Sequence, residues 1–225
     1  MKDRLFMTGF LIVVVAIAAA VIAYPQLPAY VPSHWGFHGE VNGYAPRWTV
    51  PIVLPAIMIL VMLLYVAIPW LSPRRFEVEG FRTTYEFIML LGVLFLGYIH
   101  LLIIWTALGH HLDMSRTVMA GVCLLLALIG NVFGRLRRNF YIGIRTPWTL
   151  ADERVWIETH RWAARVFTLC GVLGLAVIFL TESRFLPLIF VVIPGIASSV
   201  YSLVIYKRYE RAGTLASSNG SSGQP

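Results

Sequence analysis

The sequence predicts an all-α membrane protein: a six-transmembrane-helix bundle with an extracytoplasmic loop cap and a cytoplasmic amphipathic loop helix. The first observation is composition, because 58% of the 225 residues are hydrophobic, 13% are charged and the mean hydropathy is +0.75. A soluble domain of this size is far less apolar. The second observation is a set of six long apolar stretches, and the third is an uneven distribution of basic residues between the loops.

The six apolar stretches have the length that a membrane-crossing helix needs. A bilayer core of about 30 Å requires roughly 20 residues at about 1.5 Å per residue. Barrel strands would be about 10 residues long and would alternate in polarity, so helices are expected. The predicted spans are residues 5–24, 50–71, 85–109, 117–134, 163–180 and 185–206. They form one membrane domain over residues 1–213, followed by a Ser- and Gly-rich tail, 214–225, that is expected to be disordered.

The first span follows a short basic segment, so it also has the features of a secretory signal peptide. Its apolar run of about 20 residues exceeds the usual 7–15 of a signal peptide, which favours an uncleaved anchor. The two cysteines, Cys123 and Cys170, both lie inside spans. They are predicted to be packing residues, without a disulfide or a metal.

The basic residues predict the orientation of the bundle. Fifteen of the 18 Lys and Arg residues fall in segments on one side of the six-span arrangement, and only Arg47, Arg116 and Arg184 fall on the other. Cytoplasmic loops carry such an excess, so both termini are expected in the cytoplasm of a bacterial inner membrane. Because these charges lie at span ends, they predict lipid contacts and argue against a direct nucleic-acid partner.

The loop of residues 25–49 is expected to form an irregular extracytoplasmic cap, since its Pro and Gly content prevents a regular helix. Acidic and imidazole side chains concentrate on this side of the membrane, and zinc favours such ligands. These candidate metal ligands are His34, His38, Glu40, His110, His111 and Asp113. Two interpretations stay open: a zinc site, or polar residues that hydrogen-bond the cap together. The chain has no HExxH pattern, which disfavours a zincin protease.

The cytoplasmic loop of residues 135–162 is the most informative segment of the chain. Pro147 and the turn around Gly143 prevent the fourth span from continuing. Thr149 is predicted to cap a helix that starts near Leu150 and lies at the interface before the fifth span. The Arg145 guanidinium is expected to pair with Glu153 or to bind an anionic headgroup. Asn139, Arg145, Thr149 and Glu153 are therefore predicted to form one hydrogen-bonded knot.

Residues 139–161 read NFYIGIRTPWTLADERVWIETHR, and this segment resembles the SdpI family of bacterial membrane immunity proteins. The residues that carry the resemblance are Asn139, Gly143, Arg145, Thr146, Pro147, Trp148, Thr149, Glu153, Trp156 and His160. The cap segment LP-x2-VPSHWGFHGEVNGY, residues 27–44, is similar to the N-terminal companion domain of unknown function found upstream in the same family. The resemblance covers the chain up to about residue 213.

The resemblance implies a non-enzymatic membrane protein that protects a bacterium against a secreted peptide toxin or senses envelope stress. It also implies a cytoplasmic regulator as a second partner. The alternative is a metal-dependent membrane enzyme that uses the outer His, Asp and Glu residues on a lipid-linked or cell-wall substrate. A small transporter is a third class, which the lack of charged residues at the middle of the spans disfavours.

Two polar residues within the spans have specific expected roles. His100 lies inside the third span, where an ionisable side chain is a functional candidate. A neutral, hydrogen-bonded histidine that contributes to packing is the other interpretation. Glu86 lies near the cytoplasmic end of the same span and is expected to pair with an arginine.

Overall fold

A computed structural model describes residues 2–73 and 78–215 of the chain. Arg74 and Arg75, two of the arginines predicted to be cytoplasmic, lie outside the described residues. The tail that is predicted to be disordered lies outside them from residue 216 onward. Within them, six helices are long and apolar enough to cross a membrane. The prediction of an all-α membrane bundle is therefore confirmed.

The helices follow the predicted spans closely. They are α1 (Lys2–Ala23), α2 (Val53–Leu71), α3 (Arg82–Ala107), α4 (Met114–Phe133), the short α5 (Pro147–Ala151), α6 (Glu153–Leu180) and α7 (Phe185–Arg211). All except α5 are membrane-spanning. The largest difference concerns α6, which begins ten residues before the predicted fifth span. The segment expected to lie at the interface is instead the first part of one continuous helix.

The bundle consists of two groups of three helices. In one group α3 packs against α1 and α2, and in the other α6 packs against α4 and α7. Contacts between α3 and α4 join the two groups. The side of the bundle that carries the loop between α1 and α2 is called the hairpin end here. The opposite side carries the loop between α4 and α5 and is called the motif end.

Small residues allow α4 and α6 to approach closely. A Cβ atom added to Gly130 would lie 2.5 Å from the backbone nitrogen of Thr168, and one added to Gly171 would lie 2.6 Å from the carbonyl oxygen of Cys123. Real Cβ atoms are not found at such distances, so only glycine fits these positions. Close backbone approach through small residues is a general means of packing helices in membranes. Cys123 and Cys170 are buried free thiols, in agreement with their predicted packing role.

The expected irregular cap is a β-hairpin, and this corrects the sequence prediction. Strand β1 (Tyr30–Trp35) pairs antiparallel with β2 (Val41–Pro46), with irregular register around His34. The turn between them uses Gly39, whose φ of +85° favours glycine. Val31 packs into a buried apolar cluster with residues of α1 and α3, which fixes the hairpin to the bundle. Pro32 and Gly43 lie within these short strands, next to the irregular register, so Pro and Gly content did not exclude a hairpin here.

Candidate functional sites

The loop between α4 and α5 is held in shape by Asn139, which is fully buried. Its side-chain Nδ2 donates to the carbonyl oxygens of Arg137 at 2.8 Å and Ile142 at 3.0 Å. Its Oδ1 accepts from the backbone N–H groups of Tyr141 at 2.7 Å and Ile142 at 2.8 Å. An asparagine that bonds its own neighbouring backbone in this way replaces the hydrogen bonds of regular secondary structure. These bonds go to the neighbouring backbone and not to Arg145, Thr149 or Glu153, the other members of the predicted knot.

Thr146 and Thr149 form a reciprocal cap at the start of α5. The Thr146 side chain accepts from the Thr149 backbone N–H, and the Thr149 side chain accepts from the Thr146 backbone N–H at 3.0 Å. The Thr149 hydroxyl also donates to the Ile144 carbonyl oxygen at 2.7 Å. Thr149 was predicted to be the N-cap, but Thr146 occupies that position. Proline favours the first helical position, so the helix starts at Pro147, three residues upstream of the predicted start near Leu150.

Asp152 is the N-cap of α6, and the sequence prediction missed it. Its carboxylate accepts from the backbone N–H groups of Arg154 at 2.8 Å and Val155 at 3.4 Å, and it is 3% exposed. The signal was present, because aspartate is among the preferred N-cap residues. A single helix starting near Leu150 was predicted, whereas the chain is extended at Asp152 and two helices meet there.

Trp156 and His160 connect α6 to the loop. The Trp156 indole N–H donates to the Leu136 carbonyl oxygen at 2.9 Å, and its ring stacks on His160 with centroids 4.0 Å apart. His160 Nε2 lies 3.0 Å from the backbone N–H of Ile144, and Nδ1 lies 2.8 Å from the Trp156 carbonyl oxygen. A neutral imidazole with its proton on Nδ1 satisfies both contacts. Both side chains are fully buried, so this face of α6 contacts protein rather than lipid headgroups.

Gly143 is where the loop passes closest to His160. Its φ is +119°, and a Cβ atom at this position would lie 2.4 Å from His160 Nε2. A side chain would therefore both strain the backbone and displace the imidazole. The close approach of the loop backbone to the His160 ring therefore requires glycine at position 143.

Arg145 and Glu153 are not paired with each other among the described residues. The exposed Arg145 guanidinium donates to the carbonyl oxygen of Phe140, and Glu153 is exposed at the start of α6. The predicted four-residue knot is wrong in this respect, because the chain turns at Asp152 and carries Glu153 away from the loop. Trp148 is half-buried on α5 and Pro147 is exposed. Arg145 thus stabilises the loop through one backbone carbonyl.

The loop between α4 and α5, called the motif loop here, also contacts α7 together with the Thr146 cap that ends it. The sequence did not predict this contact. The hydroxyls of Thr146 and Ser202 lie 2.9 Å apart, and Ser202 is fully buried. Further along α7 the Tyr209 hydroxyl donates to the Glu158 carboxylate of α6. No sequence signal identifies Ser202, since it lies in an apolar span 56 residues away from its partner.

The six metal-ligand candidates at the hairpin end do not converge. Among residues 2–73 and 78–215, no three His, Cys, Asp or Glu side chains lie close enough to hold one metal ion. The His34 imidazole hydrogen-bonds the Asn42 amide, and His110 stacks on Trp105 with centroids 4.0 Å apart. His38 packs edge-on to Phe37 in the hairpin turn. Glu40 and His111 are exposed in loops, and Asp113, the sixth candidate, pairs with Arg184. The observed contacts favour polar residues that stabilise the cap over a shared metal site.

Asp113 joins α4 to the start of α7. It is the N-cap of α4 through the Arg116 backbone N–H at 3.1 Å, and its two oxygens pair with both terminal nitrogens of Arg184 at 2.9 Å. Burial acts to raise the pKa of the Asp113 carboxyl, but the hydrogen bonds from Arg184 and Arg116 and their positive charge outweigh it. The pKa is therefore held below its usual value. This two-pronged ion pair fixes the α6–α7 loop over the bundle.

A cavity of about 570 Å³ lies beneath the hairpin, where the two groups of helices meet. Its apolar walls come from α3, α4, α6 and the start of α7. Ile103, Met119 and Ile178 are examples of these wall residues. Five consecutive residues, 33–37, line it on the hairpin side, and Arg116 and Arg184 are the cationic groups at its edge. A largely apolar pocket with a few polar groups is the usual form of a ligand site.

The two α3 residues with predicted roles, His100 and Glu86, each have a partner within the bundle. His100 is buried, and its Nε2 lies 3.1 Å from the Ala16 carbonyl oxygen of α1. Glu86 pairs with Arg82 one turn earlier at 2.9 Å, as predicted for a pairing with arginine. Both are satisfied by neighbouring helical groups and lie outside the cavity.

Comparison with known proteins matches two segments of the chain to family models and most of its length to one relative. Residues 135–202 match the model of the SdpI/YfhL protein family, and residues 11–59 match a domain of unknown function, DUF1648. The immunity protein SdpI of Bacillus subtilis (strain 168) is 27% identical over 203 residues, which are 90% of this chain and 95% of the relative. No solved structure matches the chain. The first match contains the motif loop with α5, α6 and the Ser202 contact, and the second contains the hairpin. The chain is thus a multi-pass membrane protein whose residues 135–202 match the SdpI/YfhL family.

Proposed function

We propose that this protein gives a bacterial cell immunity to a secreted peptide toxin. The observation that carries the proposal is the nearly complete alignment with an immunity protein, which includes both the hairpin end and the motif end. A match confined to the membrane spans would support only a shared hydrophobic pattern. Here the aligned region also includes the loop residues that form hydrogen-bonded contacts at each end of the bundle.

We propose further that the hairpin end faces outward in the inner membrane and that both termini are cytoplasmic. The basic residues support this orientation, because Arg47, Arg116 and Arg184 alone fall on the hairpin side. Reporter fusions that are active on one side of the membrane, inserted at Gly43 and Gly213, test it. Opposite sides are expected, and the same side for both would contradict a six-span topology.

In this orientation the cavity opens on the side from which a secreted toxin arrives. The motif loop then lies in the cytoplasm, where it would contact a cytoplasmic regulator. Helix α7 supports a connection between the two ends, since Arg184 precedes its first residue and Ser202 contacts the loop near its other end. The membrane lipids are the remaining partner, and the arginines at the motif end suit anionic headgroups.

Deletion of the gene, followed by challenge with peptide fractions secreted by sibling strains, tests the function. Selective sensitivity to one fraction, restored to resistance by the wild-type gene, is the expected result. A complementing copy with Arg161→Gln, at an exposed position on α6, serves as the matched control and should protect equally well. Unchanged survival of the deletion strain against every fraction, including its own, would contradict an immunity role.

A further inference from the structure

We infer that the cavity beneath the hairpin binds an extended, apolar peptide segment through the open edge of β1 and binds a carboxylate of that peptide through Arg116. The inference deepens the proposed function, since it assigns a site and a ligand class to the toxin-binding step. Three observations carry it: the edge of the strand, the apolar walls and the pairing of the cations.

Strand β1 presents its backbone to the cavity. Side chains alternate between the two faces of a strand, so a run of consecutive lining residues means that the strand edge faces inward. Residues 33–35 of β1 form such a run, which continues through Gly36 and Phe37 of the following turn, and no residue of β2 lines the cavity. The described sheet has only two strands, so the other edge of β1 has no strand partner. An extended peptide can pair with such an edge, whereas a lipid chain has no amide groups to offer.

The walls match apolar side chains. The apolar lining residues include Ile99 and Ile103 of α3, Met119 and Val122 of α4, and Ile178 of α6. A volume of about 570 Å³ falls within the range, roughly 300–1,000 Å³, of pockets that bind small ligands. It is large enough to take two or three aliphatic or aromatic side chains. Alternate side chains of an extended peptide would enter it.

The two cations at the edge differ in their readiness to bind a new anion. Arg184 is engaged by both oxygens of Asp113, and the two side chains are about one-third exposed or less. Arg116 pairs through one nitrogen with Glu182 at 3.0 Å, and the Glu182 side chain is 98% exposed. An exposed single-contact pair contributes little, so a ligand carboxylate can replace Glu182. The second terminal nitrogen of Arg116 donates to the Ile178 carbonyl oxygen, which holds the guanidinium at the cavity wall.

The test uses full-length protein in nanodiscs of phosphatidylethanolamine and phosphatidylglycerol, with empty nanodiscs as the blank. The probe is a pool of dye-labelled pentapeptides composed of Leu, Ile, Val and Phe, prepared with a free C-terminal carboxylate or with an amide. Wild-type protein is expected to bind the acid pool about tenfold more tightly than the amide pool, the size of one charge-assisted hydrogen bond. Arg116→Gln should remove this difference. Glu182→Gln should increase affinity for the acid pool, because it removes the competing carboxylate.

Arg135→Gln, an exposed arginine at the motif end, is the matched control and should bind like wild type. Glu182 is fully solvent-facing, so its variant keeps the test informative even if Arg116→Gln does not fold. Equal affinity for the two pools, no binding above the blank, or displacement of the acid pool by added lysophosphatidylglycerol would each overturn the inference. The toxin challenge of the deletion strain is a separate readout. Peptide binding without protection would overturn the proposed function and leave the peptide site standing. Protection without acid-selective binding would overturn the peptide site and leave the proposed function standing.

Discussion

The Thr146 hydroxyl of the motif loop lies 2.9 Å from the Ser202 hydroxyl of α7, and this hydrogen bond links the loop to the last span. Both side chains also bond to backbone groups, Thr146 at the start of α5 and Ser202 at the Ser199 carbonyl. The loop is therefore fixed on two sides, by α6 through His160 and by α7 through Ser202.

Ser202→Ala removes the bond to the loop and is expected to lower the stability of the purified protein by about 1 kcal/mol, the size of one buried hydrogen bond. Ser199→Ala is the matched control, because the Ser199 hydroxyl also donates to a carbonyl of its own helix but forms no hydrogen bond with the loop among the described residues. Thermal unfolding in one detergent measures both. Equal effects of the two variants would mean that the bond to Thr146 contributes nothing.

Gly143→Ala is expected to destabilise the protein by roughly 2 kcal/mol or more, since it combines a positive φ with a clash against the buried His160 ring. Gly195→Ala is the contrasting variant. A Cβ atom there meets nothing within 4 Å and lies in the middle of α7, so it should be neutral or mildly stabilising. Both are read by thermal unfolding and by membrane abundance. A tolerated Gly143→Ala would contradict the packing of the loop on His160.

Arg145→Met is expected to reduce protection in the toxin challenge, because the loop loses its bond to the Phe140 carbonyl. Arg145→Lys should keep most of the activity, since an ammonium can also donate to one carbonyl oxygen. This outcome differs from the sequence expectation, which relied on a planar fork onto Glu153. Arg137→Lys serves as the control at matched expression and should be silent. Loss of protection in Arg145→Lys alone would restore a specific guanidinium ligand at this position.

Asp113→Asn is expected to lower thermal stability at neutral pH and to have a smaller effect in acid. The folded protein holds the pKa of the Asp113 carboxyl below the ordinary 3.8, so this carboxylate stabilises the fold fully above that value. The contribution is lost as the pH falls below it, through the lower pKa of the folded state. The difference between the unfolding temperatures of wild type and variant should therefore be smaller at pH 3 than at pH 7. A constant difference would show that the cap geometry, rather than the charge, stabilises the loop.

The spans could be predicted from the sequence because their cause is local. A helix must cross about 30 Å of hydrocarbon, and that requirement appears as a continuous apolar run. The hairpin was harder to recognise, because its strands are short and Pro and Gly dominate its composition. The close pairing of α4 and α6 through Gly130 and Gly171 depends on residues far apart in sequence.

The motif loop shows the same division between local and distant causes. Asn139 bonds residues within three positions of itself, and such a turn is typical of asparagine. The Arg145–Glu153 pair was predicted because Glu153 would fall one turn after a helix cap at Thr149, and the extended residue Asp152 interrupts that helix. His160 and Ser202 contact the loop only because α6 and α7 pack beside it. Those contacts follow from the three-dimensional arrangement and have no signature in the linear sequence.

The backbone contact between α4 and α6 has a mechanical consequence for the cavity. Gly130 and Gly171 bring the two helices so close that their separation would leave a void at the contact, so we expect α4 and α6 to behave as one rigid unit. One wall of the cavity, from Val118 to Ile178, is formed by these two helices. The opposite wall is formed by α3 and the hairpin and does not share this contact. The Ser115 hydroxyl donates to the Gly36 carbonyl, and Val31 packs against α1 and α3, so widening of the cavity from the hairpin side would have to break these contacts.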